Sequence, residues 1–448
     1  MTYVEYMDSL LEQISNNRAR QCVKQEIANH IEEQSEAYEA EGMEKEAALT
    51  EAVRQMGNPV ETGAKLNQIH RPKMPWGLLG IAVVLTLMGI WIQSIVFSQI
   101  SDNNTISSTY LGNTCFYNLI GFAVILGILF FDYNYLVKYT YLLYALYLIV
   151  TFVGSVVIWR YYQNMMFKYY LLMFYPIILA ALIYRNRNKG AKGVFICQIA
   201  TAVTVLLYLF CFYTGGGILE CLIATTILLY LAVFKGIFGQ KKKAAYVLTS
   251  IPVALGGVFA IICITIPERF LAAYQAARIQ AIIHPEMYQN ESGYIVSNLR
   301  KAAEKFTLFG NKELPFVPST ELYSDFVLSS IFSWFGILVG VLVVGLLLFF
   351  GIKALRVSLR QSNRVGMLVG SACSVSLLFR CVSYITINFG YNIYYTTSIP
   401  FLTYGLLGTL SNAVFVGLIL CVYRNSDILA EADVKQKIRV LFKVEKVK

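Results

Sequence analysis

The stretch "LYSDFVLSSIFSWFG" (322–336) is where a long polar block gives way to an apolar run, and it sets one acid, Asp325, at the mouth of a candidate membrane span. Two chemistries suit a carboxylate there. Together with Ser324 it can cap the helix that follows, because short acceptor side chains satisfy the free N–H groups of a first turn. Residue type alone favours that reading. Alternatively, the carboxylate can accept a proton from a substrate at the membrane surface. Two more charges interrupt apolar runs: Glu220 in "GGGILECLIA" and Arg380 in "SLLFRCVSYI". Charges inside a membrane are costly and face a partner or a cavity. They read either as a structural ion pair or snorkelling side chains, or as the lining of a substrate groove.

Metal and thiol chemistry have little to build on. His30, His70 and His284 are far apart, and the nine cysteines form no CxxC or metal-like pair. Most of them (Cys197, Cys211, Cys221, Cys263, Cys373, Cys381, Cys421) fall inside apolar runs and read as small hydrophobes. Neither a zinc site nor a disulfide framework is expected.

The elements that must position these residues are membrane spans. The chain has 448 residues, 57% hydrophobic and 14% charged, with mean hydropathy +0.56. A soluble domain could not hide that much apolar surface, so a polytopic membrane protein is expected. Residues 1–73 carry eight Lys/Arg against thirteen Asp/Glu, so the net charge of +10 leaves an excess of about +15 for the remainder. In a membrane protein such an excess is a topology signal, and nucleic acid is not an expected partner.

A span needs roughly 20 mostly apolar residues. Ten segments qualify, at about 75–98, 112–131, 135–158, 166–184, 193–213, 216–234, 246–266, 326–352, 366–389 and 398–422. The basic loops "YRNRNKGAKG", "FKGIFGQKKK" and "IKALRVSLRQSNR" then fall on one side, which places both termini in the cytosol. Only "WRYYQNMMFK", with Arg160 and Lys168, runs against that rule. The polar block 267–325 is an extracellular loop between spans seven and eight, too long for an idle connection. Within it "AARIQAII" and "IVSNLRKAAEKF" read as amphipathic helices along the membrane surface.

Ahead of the spans, residues 1–73 read as a cytosolic bundle of three short helices, with stops at Gly42 and Gly57-Asn58-Pro59. The N-terminus lacks the basic and apolar regions of a signal peptide. Residues 425–448 form a basic cytosolic tail. The pattern "AVRQMGNPVETGAKLNQIHRPK" resembles the permease-prefix (HAAS-type) domains fused ahead of bacterial membrane proteins.

The loop and the last spans carry a second resemblance. "YQAARIQAIIHPE", "GYIVSNLRKA", "LPFVPSTELYSDF" and "IPFLTYG" are similar to four motifs of the SEDS family (shape, elongation, division and sporulation), the RodA/FtsW/SpoVE-type peptidoglycan glycosyltransferases. The likeness is specific from about 267 to 424. It implies an all-α, ten-helix membrane domain over 74–424, in the bacterial cytoplasmic membrane, that polymerises lipid II at the outer face for elongation, division or sporulation. The implied partner is a monofunctional class B penicillin-binding protein.

On this resemblance Asp325 matches the family's catalytic aspartate, which turns the capping reading into that of a base. Pyrophosphate is already a good leaving group, so the reaction needs a base for the sugar hydroxyl and cations for the phosphates. Arg278 and Arg300 match basic positions of the family loop and are implied to hold the pyrophosphate. Ordinary attraction to anionic headgroups is their other reading. No cofactor is firmly implied, although a divalent cation at the pyrophosphate is compatible with the chemistry. The chain also departs from the family. "EKFT" replaces a glycine-rich turn, and Ser333 and Trp334 replace two acids of the eighth span. The family's motif of the fourth span is absent around "NMMFKYY", and its motif after the fifth is replaced by "TGGG". Those losses leave two other functions open, a catalytically silent scaffold or signalling protein and a lipid II flippase.

Overall fold

The computed structural model describes residues 1–69, 71–72, 74–100, 104–162, 165–212, 217–239, 242–318, 322–391 and 398–426. Among these, every regular element is a helix. Most of the expected basic tail, 427–448, lies outside the described residues.

The N-terminal unit holds four helices where three were expected: α1 (Tyr3–Glu12), α2 (Asn17–Ala40), α3 (Lys45–Gln55) and α4 (Pro59–Ile69). The difference lies at Gly57-Asn58-Pro59. Gly57, at φ +76°, ends α3. Asn58 Oδ1 then accepts from Val60 N at 2.9 Å, and Pro59 takes the first helical position, where a missing N–H costs nothing. The stop is also a start. Tyr6 and Leu10 of α1 meet Val23, Ile27 and Ile31, spaced four apart on α2, and Ala52 and Val53 of α3 in a closed apolar core. Helix α4 lies so close to α1 that a Cβ on Gly63 would sit 2.6 Å from the Leu10 carbonyl oxygen.

The membrane part follows as α5 (Trp76–Ile100), α6 (Asn104–Leu129), α7 (Asn134–Lys138), α8 (Thr140–Tyr162), α9 (Met165–Met173) and α10 (Tyr175–Arg185). Then come α11 (Ala191–Phe212), α12 (Ile218–Phe234) and α13 (Lys242–Thr265). The polar block after α13 contributes α14 (Pro267–Phe270), α15 (Ala273–Ile283) and α16 (Tyr294–Glu304). The chain closes with α17 (Val327–Phe335), α18 (Ile337–Leu359), α19 (Arg364–Asn388) and α20 (Leu406–Arg424). Seven helices are long and apolar enough to cross a membrane, and shorter apolar helices stand at the third, fourth and sixth expected positions. The chain is an all-α polytopic membrane protein.

Three spans are not the single helices the hydropathy suggested, the third parting at Tyr139 into α7 and α8. The fourth breaks at Phe174, where Pro176 near the start of α10 lacks the N–H that would continue the ladder. The eighth breaks at Gly336, φ +89°. There the loop 307–311 runs alongside: Ile337 N donates to Thr307 O at 2.9 Å and Asn311 N to Ser333 O at 3.1 Å. Any side chain on Gly336 would run into the backbone of residues 308–310. The tenth helix begins at Leu406 and not near 398, because Phe401 (φ +74°) and Gly405 (φ +133°) hold "IPFLTYG" in a non-helical turn.

Helix α19 is the centre of the bundle. Inside the protein, 83% of its apolar window is buried, against 11% for α13, which therefore stands at the periphery. Its small residues permit close neighbours: a Cβ on Gly366 would lie 2.9 Å from Tyr133 Oη. The loop helix α16 does not merely lie on a surface. Its Leu299 packs with Phe326 and Ile387, which joins the outer loop to the heads of α17 and α19.

Candidate functional site

Asp325 is half-buried in the turn before α17. The helix begins at Val327, and its N-cap position is Phe326, which supplies no side-chain cap. The capping role read from Ser324-Asp325 is therefore corrected. The first N–H groups of α17 are taken up by α19: Val327 N donates to Tyr384 Oη at 3.1 Å, and Ser329 N to Asn388 Oδ1 at 2.8 Å. With those donors satisfied from a neighbouring helix, no local acceptor is required.

The same two side chains also give. Tyr384 Oη donates to Ser324 O at 2.7 Å, and Asn388 Nδ2 donates to Asp325 O at 3.1 Å. Tyr384 and Asn388 are four residues apart and so share one face of α19. The Asp325 carboxylate is near enough to act electrostatically on the Tyr384 hydroxyl. Beneath them Phe326 is fully buried against Leu299 and Ile387.

A second support comes from an aromatic group. Phe97, Tyr110, Tyr323 and Tyr404 stand with ring centroids 5.1–5.7 Å apart, and Tyr404 N donates to Tyr323 O at 3.0 Å. Burial, with the neighbouring Tyr110 hydroxyl, pushes the Tyr323 phenol up to about 12, so it stays neutral. Gln93 of α5 donates to Leu402 O and accepts from Thr114 at 3.1 Å. The turn "IPFLTYG" is thus fastened on one side to α5 and α6 and on the other to the segment bearing Asp325.

The two loop arginines have different surroundings. Arg278 is exposed on α15 and lies over the Tyr274 ring, 5.9 Å from its centroid. Arg300 is part-buried. Its Nε and Nη2 donate to Gly390 O at 3.1 and 2.9 Å, Nη2 also donates to Ile282 O at 2.8 Å, and the guanidinium covers Tyr391 at 4.5 Å. Arg300 ties α15, α16 and the end of α19 together.

Glu220 and Arg380 meet inside the bundle. Arg380 is fully buried and Glu220 nearly so, with Nε 3.5 Å from Oε1. Tyr169 donates to Glu220 Oε2 and Arg380 Nη1 to Asn412 Oδ1, both at 2.6 Å, while the guanidinium lies 4.7 Å from the Phe415 ring centroid. Asn412 in turn lines a small cleft of about 30 Å³ between α5, α6 and α20, with Thr86, Asn118, Phe401 and Thr409. Among the described residues no three His, Cys, Asp or Glu side chains converge as a metal site.

Tyr384 and Asn388 escaped the reading of the sequence. Their signal was two hydrogen-bonding side chains four apart at the outer end of an apolar helix, in "YITIN".

No family model and no curated protein matches the chain. Solved structures do match, two of them as follows. One is a chain from work titled "Structural coordination of polymerization and crosslinking by a peptidoglycan synthase complex", with TM-score 0.61 and 16% identity, covering 79% of this chain and 98% of that one. The other is a mutant of the rod shape determining protein RodA of Thermus thermophilus, with TM-score 0.51, 14% identity and the same coverage. At such identities the likeness speaks for the fold alone: this chain has the fold of that RodA structure.

Proposed function

We propose that this chain is a peptidoglycan glycosyltransferase that polymerises lipid II at the outer face of the cytoplasmic membrane, with Asp325 as its general base. The reading is supported chiefly by one observation: Asp325 sits within its family-like motif, relieved of capping duty, in a turn held from α19. In the reaction a sugar hydroxyl oxygen bonds to the anomeric carbon of a second lipid-linked disaccharide. The bond from that carbon to the pyrophosphate breaks, the pyrophosphate keeps the electron pair, and Asp325 takes the hydroxyl proton. Positioning and a fitted acceptor are what the protein supplies.

Arg278, exposed on the loop helix, is the cation that meets the leaving pyrophosphate. Arg300 adds charge while holding the loop to Gly390 O and Ile282 O. Glu220 and Arg380 brace the bundle beside the cleft that Asn412 lines, which we assign as part of the substrate groove. The fold neighbour titled for polymerization and crosslinking supports a transpeptidase of the class B penicillin-binding type as partner. The four-helix unit acts as a cytosolic permease-prefix-type regulator.

The test is glycan-strand formation from purified lipid II, with the transpeptidase partner present. Asp325→Asn is expected to lower the rate by roughly 10²–10⁴-fold while lipid II binding persists. Polymerisation at the wild-type rate would remove Asp325 from the chemistry. A wild type inactive with its partner would favour the scaffold reading, which the lost family motifs support. Orientation is checked separately: in a Cys115→Ser background, Lys312→Cys should react with an impermeant thiol reagent in intact cells and Ser362→Cys should not.

A further inference from the structure

We infer that Tyr384 and Asn388 are positioning residues that set the backbone of Asp325 and thereby aim its carboxylate. The inference rests on the reading of Asp325 as the base. Ser324 O belongs to the peptide group just before the Asp325 Cα, and Asp325 O to the one just after it. Tyr384 Oη holds the first at 2.7 Å and Asn388 Nδ2 the second at 3.1 Å. Both peptide planes flanking one Cα are therefore held by one helix face, so φ and ψ of Asp325 are fixed, and with them the direction of its Cα–Cβ bond.

Each of the two side chains also accepts from the helix that follows, Tyr384 from Val327 N and Asn388 from Ser329 N. The donor and acceptor functions of a phenol and of a carboxamide are both in use. Asn388 is further steadied by donating to Tyr384 O at 2.9 Å, which keeps its amide aligned along α19. Both side chains are buried in the most enclosed helix of the bundle, so the clamp is referred to the bundle and not to the loop. A helix start that needed only capping could use a Ser or Asn of its own. What the two side chains from α19 add is a register between that helix and a single residue of the loop.

Two measurements separate this from a packing role and from the reading it rests on. The first needs no activity: hydrogen exchange across 322–331 in detergent-solubilised full-length protein. Tyr384→Phe should speed exchange at Val327, and Asn388→Ala at Ser329, with the remaining helices unchanged. Unaltered exchange in both variants overturns the clamp whatever the enzyme does. The second is kinetic. Tyr384→Phe and Asn388→Ala are each expected to lower kcat per folded molecule roughly 10–100-fold with KM for lipid II little changed, the scale of a small misplacement at a reacting centre. Asn388→Asp keeps the acceptor for Ser329 N but loses the donor to Asp325 O, so it should fail to rescue. Placed on Asp325→Asn, neither change should lower the residual rate further, because the pair acts only through Asp325. Full multiplication of the two losses, or a fall in thermal midpoint with unchanged rate per folded molecule, would assign Tyr384 and Asn388 to packing. If Asp325→Asn is silent while the exchange result holds, the base assignment fails and the clamp remains as a structural fact.

Discussion

Glu220 and Asp325 are both carboxylates near the starts of helices, and the protein fixes different parts of them. At Glu220 the bonds go to the carboxylate: Tyr169 donates to one oxygen and Arg380 faces the other. At Asp325 the side chains of α19 bond the main chain on either side of its Cα. An acid whose charge is answered inside a bundle joins helices, here α12, α19, α20 and the Tyr169 segment. On the proposed function, an acid whose backbone is fixed in this way is kept in place for a substrate. Such fixing is what a positioned base requires.

The comparison is broken most sharply by exchanging each carboxylate for its amide. Asp325→Asn should abolish most polymerisation, by roughly 10²–10⁴-fold, with no loss of fold. Glu220→Gln should do the reverse, lowering the thermal midpoint while surviving molecules keep their rate. Asp325→Glu should recover little, since one added methylene moves the carboxylate by about one bond length in a site that depends on position. A catalytic loss at Glu220 as large as at Asp325, with stability intact, would erase the distinction.

The next effect is on the pair itself. Arg380→Met leaves Glu220 buried beside Tyr169 with no cation, and breaking a buried pair from one side costs about 3–5 kcal/mol. The double change Glu220→Gln with Arg380→Met should regain most of that, because removing both charges also removes their desolvation. Thermal unfolding in detergent reads both. A single change as mild as the double would show that the charges are not coupled.

How far the sequence foretold all this depends on the kind of signal. Ten span positions were legible because twenty apolar residues are a sum, and sums survive local irregularity. The breaks at Phe174 and Gly336 were not, since each depends on what stands alongside: the loop 307–311 occupies the space a side chain on Gly336 would need. Asp325 was singled out through its motif, but its surroundings were not legible. Ser324-Asp325 looks like a cap, and only the fold reveals that residues 384 and 388, some sixty positions later, have taken that duty. Glu220 and Arg380 were visible as isolated charges, whereas their being one pair is a fact of packing. At Asn58-Pro59 the signal for a new helix was present and was read as a terminator only.

A smaller effect sharpens the same contrast within the outer loop. Arg300 is a tie and Arg278 is exposed. Arg300→Ala deletes charge-assisted bonds to two carbonyls, worth about 1.5–3 kcal/mol each, and should loosen the loop to protease and lower the thermal midpoint. Arg278→Ala should leave the fold unchanged and raise KM for lipid II by about tenfold, the loss of one partly solvated contact to phosphate. If the two variants behave alike, the loop has one role for its arginines and not two.

The smallest effect is expected from the N-terminal four-helix unit. Its core is closed by its own residues, from Tyr6 and Leu10 through Val23 and Ile31 to Val53. Its helices pair among themselves: α1 on α4, joined by Ser15 Oγ donating to Asn67 Oδ1 at 2.9 Å, and α2 on α3. A unit that satisfies its own apolar surface does not need the membrane part to fold. Residues 1–70 expressed alone should therefore be soluble, helical and cooperative in melting, and Gly63→Val should abolish that melting, because the added carbons have the Leu10 carbonyl in their way. Deleting the unit should change polymerisation from lipid II in detergent by less than about twofold, since a 1.4 kcal/mol change in barrier already gives tenfold and nothing in this core reaches the outer face. A loss near that of Asp325→Asn, in a deletion that still folds, would put the four-helix unit within the catalytic machinery and reverse the order of these effects.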